Sequence, residues 1–188
     1  MRRTVFLDRD GTLNREVGFV SRPDQLEVLA GVVPALQRLS DAGYRIVVLT
    51  NQSGIARGLY SESDLARVHA VLHERLRGLP DAYLHCPHHP DTGGEYGGAC
   101  ACRKPAAGLL HQARELLGVE LTGSVLIGDS ARDLLMAKGL PLRTVYVHSG
   151  KPVAPELAML QQAGLTPDHQ AADLAAAVAW LLGSPRSM

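Results

Sequence analysis

At 188 residues, 46% hydrophobic and 20% charged, the chain is long and apolar enough for one globular domain with a substantial core, which excludes a disordered segment. Its 19 basic and 19 acidic residues cancel, which counts against a general nucleic-acid binder, so any anion must be held by locally placed groups. No apolar run approaches about 20 residues, so no membrane-spanning helix is expected, and after Met1-Arg2-Arg3 the acidic Asp8 interrupts the apolar stretch too early for a signal peptide. The expected location is the cytoplasm. Cys86, Cys100 and Cys102 form an odd, clustered set, which in such a chain points to metal more than to disulfides.

In chain order, residues 4–7 read as a short buried strand that ends in two carboxylates, Asp8 and Asp10, followed by Gly11. A loop to about residue 31 follows, and Pro34 opens a helix expected over 34–42. Residues 45–50 are rich in β-branched side chains and predict a second buried strand. Ser61, with Asp64 three residues on, reads as the N-cap of a long helix to about residue 77. A third strand is expected over 81–85, then a Gly-rich loop bearing Cys and His, then a helix over 109–117. Residues 124–127 predict a fourth strand, ending in Gly128-Asp129-Ser130-Ala131-Arg132-Asp133 and a helix to about residue 138. A fifth strand is expected over 144–147, helices near 156–163 and 173–182, and a frayed end over 183–188.

Strands alternating with helices predict an α/β fold. Its Rossmann-like parallel sheet carries helices on both faces, and no segment is large enough for a cap domain. Residues 1–188 are read as a single domain. Loop-bearing strand ends of such a sheet share one edge. The tips after strands 1, 2 and 4 therefore converge: Asp8 and Asp10, Thr50 and Asn51, Asp129 and Asp133. Carboxylates gathered in this way repel unless a cation sits among them, and hard oxygen ligands favour Mg²⁺. Thr50 and Asn51 can donate hydrogen bonds to a phosphoryl group, and Lys104 offers a compact positive charge. One carboxylate can serve as nucleophile and a second as proton donor.

Cys86-Pro87-His88 and Cys100-Ala101-Cys102 are two donor pairs, each spaced two residues apart, joined by a loop. Three thiolates and an imidazole make a closed tetrahedral set that suits a structural Zn²⁺, stapling loop 86–102. His85 and His89 lie close by, and His88 is preferred because it mirrors the Cys-x-Cys spacing. The competing reading is three inert, buried cysteines. His69 and His73 sit four apart and read as a solvated helix face; His111, His148 and His169 read as ordinary surface residues.

The segments Asp8-Arg9-Asp10-Gly11-Thr12, Thr50-Asn51, Lys104 and Gly128-Asp129-Ser130-Ala131-Arg132-Asp133 resemble, in order, the four motifs of the haloacid dehalogenase superfamily of phosphatases. The resemblance runs to about residue 151. It implies that Asp8 attacks phosphorus, and that Asp10 protonates the leaving alkoxide and then activates water. Asp8, the Asp10 backbone carbonyl and Asp129 would hold Mg²⁺. Thr50 and Lys104 would hold phosphoryl oxygens, and Asp133 would orient the metal's surroundings. Arg9 points into solvent or pairs with a neighbour.

Within the superfamily, Thr50 to Gly58 and the two Cys-bearing segments resemble the zinc-loop branch that acts on heptose 1,7-bisphosphates. The branch acting on histidinol phosphate is the alternative. A bisphosphate needs a second cationic site, for which Arg103 and Arg57 are candidates. By resemblance, Glu16, Val17, Gly18 and Phe19, with Thr50, Asn51, Gln52 and Ser53, line the sugar pocket. Many relatives carry Lys directly after the Asp of the fourth motif; here it is Ser130. The expected protein is a Mg²⁺-dependent monomer with an open site and a phosphosugar substrate, without a nucleic-acid or membrane partner. A reading from a different class is a zinc-stapled binding module without catalysis.

Overall fold

A computed structural model describes residues 3–183; residues 1–2 and 184–188, which hold most of the expected frayed end, lie outside the described residues. Six parallel strands form one sheet in the order β3-β2-β1-β4-β5-β6. They are β1 (Thr4–Leu7), β2 (Arg45–Asn51), β3 (Ala82–Cys86), β4 (Val125–Gly128), β5 (Arg143–Val147) and β6 (His169–Ala171). The helices are α1 (Val32–Asp41), α2 (Glu62–Arg75), α3 (Gly108–Leu117), α4 (Ala131–Leu135), α5 (Val153–Gln162) and α6 (Leu174–Gly183).

Both faces of the sheet are covered, which is why its strands read as continuous apolar runs. Val5 and Leu7 of β1, Ile46 and Val48 of β2, and Val125 and Ile127 of β4 pack with Leu36 and Leu39 of α1, Val68 and Leu72 of α2, and Leu174 and Val178 of α6. The alternate residues Phe6, Val47, Leu49 and Leu126 face Leu109, Leu110 and Ala113 of α3 and Met136 beyond α4. The side-chain period of two thus divides each strand between two cores.

Several boundaries differ from expectation. Helix α1 begins at Val32, two residues before Pro34, behind Gly31 at φ 78°. Pro34 is therefore the third helical residue, still within the first turn, where its missing N–H costs no helical bond. Helix α4 ends at Leu135 rather than near 138, and α6 runs through Gly183, where fraying was expected. Strand β6 and a 3₁₀ turn at Pro23–Gln25 were not expected; β6 is three residues long with only Ala171 buried, so it carries no apolar signature. Ser61 does cap α2: its hydroxyl accepts from the Asp64 N–H, and Asp64 accepts in return from the Ser61 N–H at 2.8 Å.

The sheet is wound outward from β1 in both directions, so β1 and β4 are adjacent although two strands separate them in the chain. Their carboxyl ends form the topological switch point, where α/β sheets place ligands.

Candidate active site

Asp8 leaves β1 with its N–H still donating to the Ile127 carbonyl at 3.0 Å, so its side chain stands directly beside the end of β4. The chain then turns sharply: the Arg9 carbonyl accepts from Leu13 at 2.8 Å and Asn14 at 3.1 Å, and Gly11 sits at φ 88°. Gly11 is required there for space as well as for conformation. A Cβ at Gly11, or at Gly150 after β5, would fall inside the carboxylate of Asp129.

Lys104 reaches in from the segment before α3. Its Nζ lies 2.6 Å from Asp8 Oδ1 and 2.8 Å from Asp133 Oδ1, with all three side chains buried. The Asn51 carboxamide grips the Lys104 backbone, accepting from its N–H at 3.1 Å and donating to its carbonyl at 3.3 Å. Asn51 therefore positions Lys104, and the second hydrogen of its amide stays available on a side chain that lines the site. The Thr50 hydroxyl accepts from Gln52 Nε2 at 2.9 Å, which leaves its own proton for the cavity. Asp133 serves as a local anchor too: its Oδ2 accepts from the Ser130 N–H at 3.0 Å and the Ser130 hydroxyl at 2.6 Å.

Asp8, Asp129 and Asp133 can bring carboxylate oxygens within 4.8 Å of one another. Lys104 is the ammonium paired to two of them, which leaves two formal negative charges in excess. The electrostatics register the imbalance. Burial, reinforced by Asp133 and opposed by Lys104, raises the Asp8 carboxyl to about 7. Burial, with Asp8 and Asp133, raises Asp129 to about 9. Burial alone would push the Lys104 ammonium down, but Asp133 and Asp8 outweigh it and the net shift is upward. Asp129 Oδ2 accepts from the Lys151 N–H at 3.1 Å, whereas Oδ1 is buried with no protein partner. A hard divalent cation fits this set on charge, on donor type and on the orphaned oxygen.

A second ligand set is complete. The Sγ atoms of Cys86, Cys100 and Cys102 are 3.1 to 3.6 Å apart. His88 Nδ1 lies 3.4 Å from Cys102 and 3.8 Å from Cys86. Bonds of about 2.3 Å from Zn²⁺ to sulfur imply tetrahedral S···S edges of roughly 3.8 Å, so the cluster has only to open slightly to take the ion. The cysteines are free thiols, and burial raises Cys86 and Cys102. His88 is the histidine that joins them. His85 instead pairs with Glu62 at 2.8 Å, and His89 contacts Arg57 at 2.8 Å.

These groups border a cavity of about 440 Å³ lined by Asp8, Asp10, Glu16, Gly18, Phe19, Thr50, Asn51, Gln52, Ser53, Arg103, Lys104, Asp129 and Asp133. Two expected residues are absent from its wall. Arg57 is turned to His89 on the zinc loop, and Val17 points outward, 48% exposed. Phe19 is a wall residue, 41% exposed, and not core. Ser130, singled out in the fourth motif, also lines the cavity, as do Tyr60, Arg132 and Lys151, which the sequence reading missed. Arg132 and Lys151 follow strand tips β4 and β5, so the rule that found Asp129 could have found them. Burial, then the like charge of Arg132, holds the Arg103 guanidinium below its ordinary value. Arg103 also donates to the His88 carbonyl at 3.1 Å, tying the Cys/His cluster to the cavity.

Arg9 does not reach solvent. Its guanidinium is buried and forks onto Asp10, whose carboxylate also accepts from Asn14 at 2.9 Å and Gln52 at 3.1 Å. His69, expected on a solvated helix face, accepts from Arg9 at 3.2 Å and stacks on Tyr83, their ring centroids 5.0 Å apart. His169 likewise stacks on Trp180 at 4.5 Å.

The sheet order and the acidic strand tips define a phosphoryl-transfer class of α/β hydrolase, and comparison with known proteins agrees. A family model described as "HAD-hyrolase-like" matches residues 101–177. The D-glycero-beta-D-manno-heptose-1,7-bisphosphate 7-phosphatase of Pasteurella multocida (strain Pm70) is 43% identical over 157 residues, covering 81% of this chain and 85% of that protein. The protein of the same name from Escherichia coli (strain K12) is 38% identical, covering 81% and 82%. The crystal structure of D,D-heptose 1,7-bisphosphate phosphatase from B. bronchiseptica, complexed with magnesium and phosphate, superposes with a TM-score of 0.81 at 36% identity, covering 96% and 98% of the two chains. The chain belongs to the D-glycero-beta-D-manno-heptose-1,7-bisphosphate 7-phosphatase family of haloacid dehalogenase-like hydrolases. No helix among the described residues is long and apolar enough to cross a membrane.

Proposed function

We propose that this chain is a Mg²⁺-dependent phosphatase that removes the 7-phosphate of D-glycero-D-manno-heptose 1,7-bisphosphate through an aspartyl-phosphate on Asp8. The observation that carries the reading is the buried Asp8–Lys104–Asp133 contact, with Asp129 beside it, in a chain of this family. Asp8, the Asp10 carbonyl and Asp129 hold Mg²⁺, which when bound supplies positive charge to the phosphoryl group and keeps Asp8 ionised. Asp8 Oδ attacks phosphorus while Lys104 and the Thr50 hydroxyl bind the non-bridging oxygens. The bond to the sugar oxygen breaks, and that oxygen takes a proton from Asp10. A water then attacks phosphorus, giving its proton to Asp10, and Asp8 is released with its electron pair. Asp133 orients Lys104 and Ser130. The set Cys86, His88, Cys100 and Cys102 holds a structural Zn²⁺, which fixes Arg103 and Lys104 immediately after it in the chain.

The mouth of the cavity favours a second phosphate. Arg103, Arg132 and Lys151 line it, while its one expected acidic group, Glu16, is offset by Lys151 at 3.6 Å. We assign the second-phosphate contact to Arg103 and Arg132. Arg132 supplies near Ser130 the charge that a Lys would have brought. Residues 1–188 act as one domain and as a monomer, which sedimentation measures directly. Purified protein with Mg²⁺ and a phosphosugar panel that includes histidinol phosphate tests the substrate. The highest kcat/KM is expected on the heptose 1,7-bisphosphate, with inorganic phosphate leaving from C7; a preference for histidinol phosphate contradicts the assignment.

A further inference from the structure

We infer that Arg9 is a positioning residue: its buried guanidinium fixes the Asp10 carboxylate for proton transfer at the cavity, and His69 holds that guanidinium from behind. The inference rests on the reading of Asp10 as acid and base.

Arg9 heads the largest fully buried side chains and is 1% exposed, although it carries a full positive charge. Nε lies 3.1 Å from each Asp10 oxygen, and Nη2 lies 2.9 Å from Oδ1 and 2.8 Å from Oδ2. The remaining arm, Nη1, donates to His69 Nε2 at 3.2 Å, which places the ring proton on Nδ1. Burial, then Arg9 and His85, pushes His69 down to about 3, so the ring stays a neutral acceptor. Among the described residues Arg9 donates its side-chain hydrogen bonds to Asp10 and His69 and to no backbone carbonyl, so its tie to a distant segment is the bond to His69 on α2.

A buried ion pair adds little stability over apolar groups of the same volume, so stability alone does not explain this one. A fork fixes orientation. It sets both Asp10 oxygens in one plane, and Asn14 and Gln52 each take one further lone pair. Gln52 is itself held by the Tyr60 hydroxyl at 2.6 Å. With the fork these donors fill the carboxylate's four lone-pair sites, so its cavity edge, 15% exposed beside Asp8, takes or gives a proton as Gln52, the donor on the cavity wall, yields its place. Held in this way, it meets the leaving oxygen in the first half-reaction. In the second it meets the water, whose oxygen bonds to phosphorus as the bond to Asp8 breaks.

Rapid mixing with Mg²⁺ and p-nitrophenyl phosphate separates positioning from folding. Nitrophenolate leaves without a proton, so phosphorylation of Asp8 is insulated from Asp10, whereas hydrolysis is not. Arg9→Met is expected to release nitrophenolate in a burst equal to the folded sites. It should then turn over about 10²-fold more slowly than wild type, with KM falling alongside kcat. Arg9→Lys keeps the charge but not the fork and recovers part of that rate. It also carries the test if Arg9→Met does not fold, since a slowed steady state after a full burst is still expected. A merely structural role makes burst and steady state shrink together with the folded fraction. That result, or a folded variant turning over within about threefold of wild type, overturns the inference. If Asp8→Asn turns over like wild type in the same assay, the aspartyl-phosphate reading fails instead.

Discussion

Replacing Lys104 by Met keeps the side-chain volume and removes the ammonium that lies 2.6 Å from Asp8 and 2.8 Å from Asp133. Three carboxylates then face one another in a buried site. Removing one partner of a buried ion pair costs about 3–5 kcal/mol. For a domain of this size each kcal/mol moves the melting temperature by about 2–4 °C, so a fall of roughly 6–20 °C is expected. The pH dependence has a definite sign. Asp8, raised to about 7, and Asp129, raised to about 9, both exceed the ordinary 3.8. Their stabilising contribution is fully present below 3.8 and is lost as pH rises through about 7 and then 9. At about pH 5 both carboxyls hold protons, so the missing Lys104 is felt least; the deficit grows as pH rises and Asp8, then Asp129, is driven to ionise without it. Urea titration in magnesium-free buffer at both pH values measures the two gaps. Added Mg²⁺ at about pH 8 should restore part of the loss. A gap below about 1 kcal/mol at pH 8, or one equal at both pH values, would refute the charge-balance reasoning.

His69 acts in the opposite sense. Its folded value of about 3 lies below the ordinary 6.5 because of burial, Arg9 and His85. Its contribution is fully present above 6.5 and is lost as pH falls toward 3, at up to about 1.4 kcal/mol per pH unit. His69→Phe should flatten the acid side of the stability curve; an unchanged slope contradicts the neutral buried ring. Cys102→Ser should lower the metal content by one zinc, the melting temperature by about 10 °C or more, and phosphatase activity with them; a stable, active, zinc-free variant contradicts a structural site. Arg132→Ala should lower kcat/KM on the bisphosphate by about 10–100-fold, and on the 7-monophosphate by less than about threefold. Equal losses on both would remove Arg132 from the second-phosphate contact.

Strands β1, β2 and β4 were legible because burial on both faces selects apolar, β-branched runs, and each run ends abruptly in polar residues. The positions of Asp8, Thr50 and Asp129 follow from that one regularity and from the parallel sheet. Strand β6 was not legible, because its three residues are mostly solvent-facing. The grouping of Cys86, His88, Cys100 and Cys102 was readable because these residues pair within two positions. Contacts between loops were less so. Arg57 looked like a substrate group by proximity in sequence, yet His89 on the zinc loop captures it. Asn51 read as a phosphate donor, and its grip on the Lys104 backbone, between residues 53 apart, was not legible beside that. The Arg9–His69 contact joins residues 60 apart, and nothing local marks His69 as a partner instead of a solvated helix position.

On the proposed mechanism phosphate passes through a covalent bond to Asp8. Rapid quench of the Mg²⁺-loaded protein during turnover, followed by borohydride reduction and peptide mass spectrometry, reads that bond directly, because an acyl phosphate is reduced to an alcohol while a free carboxylate is not. Conversion at position 8 is expected during turnover and is absent from Asp8→Asn. Continued turnover with Asp8 unmodified at every time point, or with the modification at Asp10 or Asp129, would contradict it.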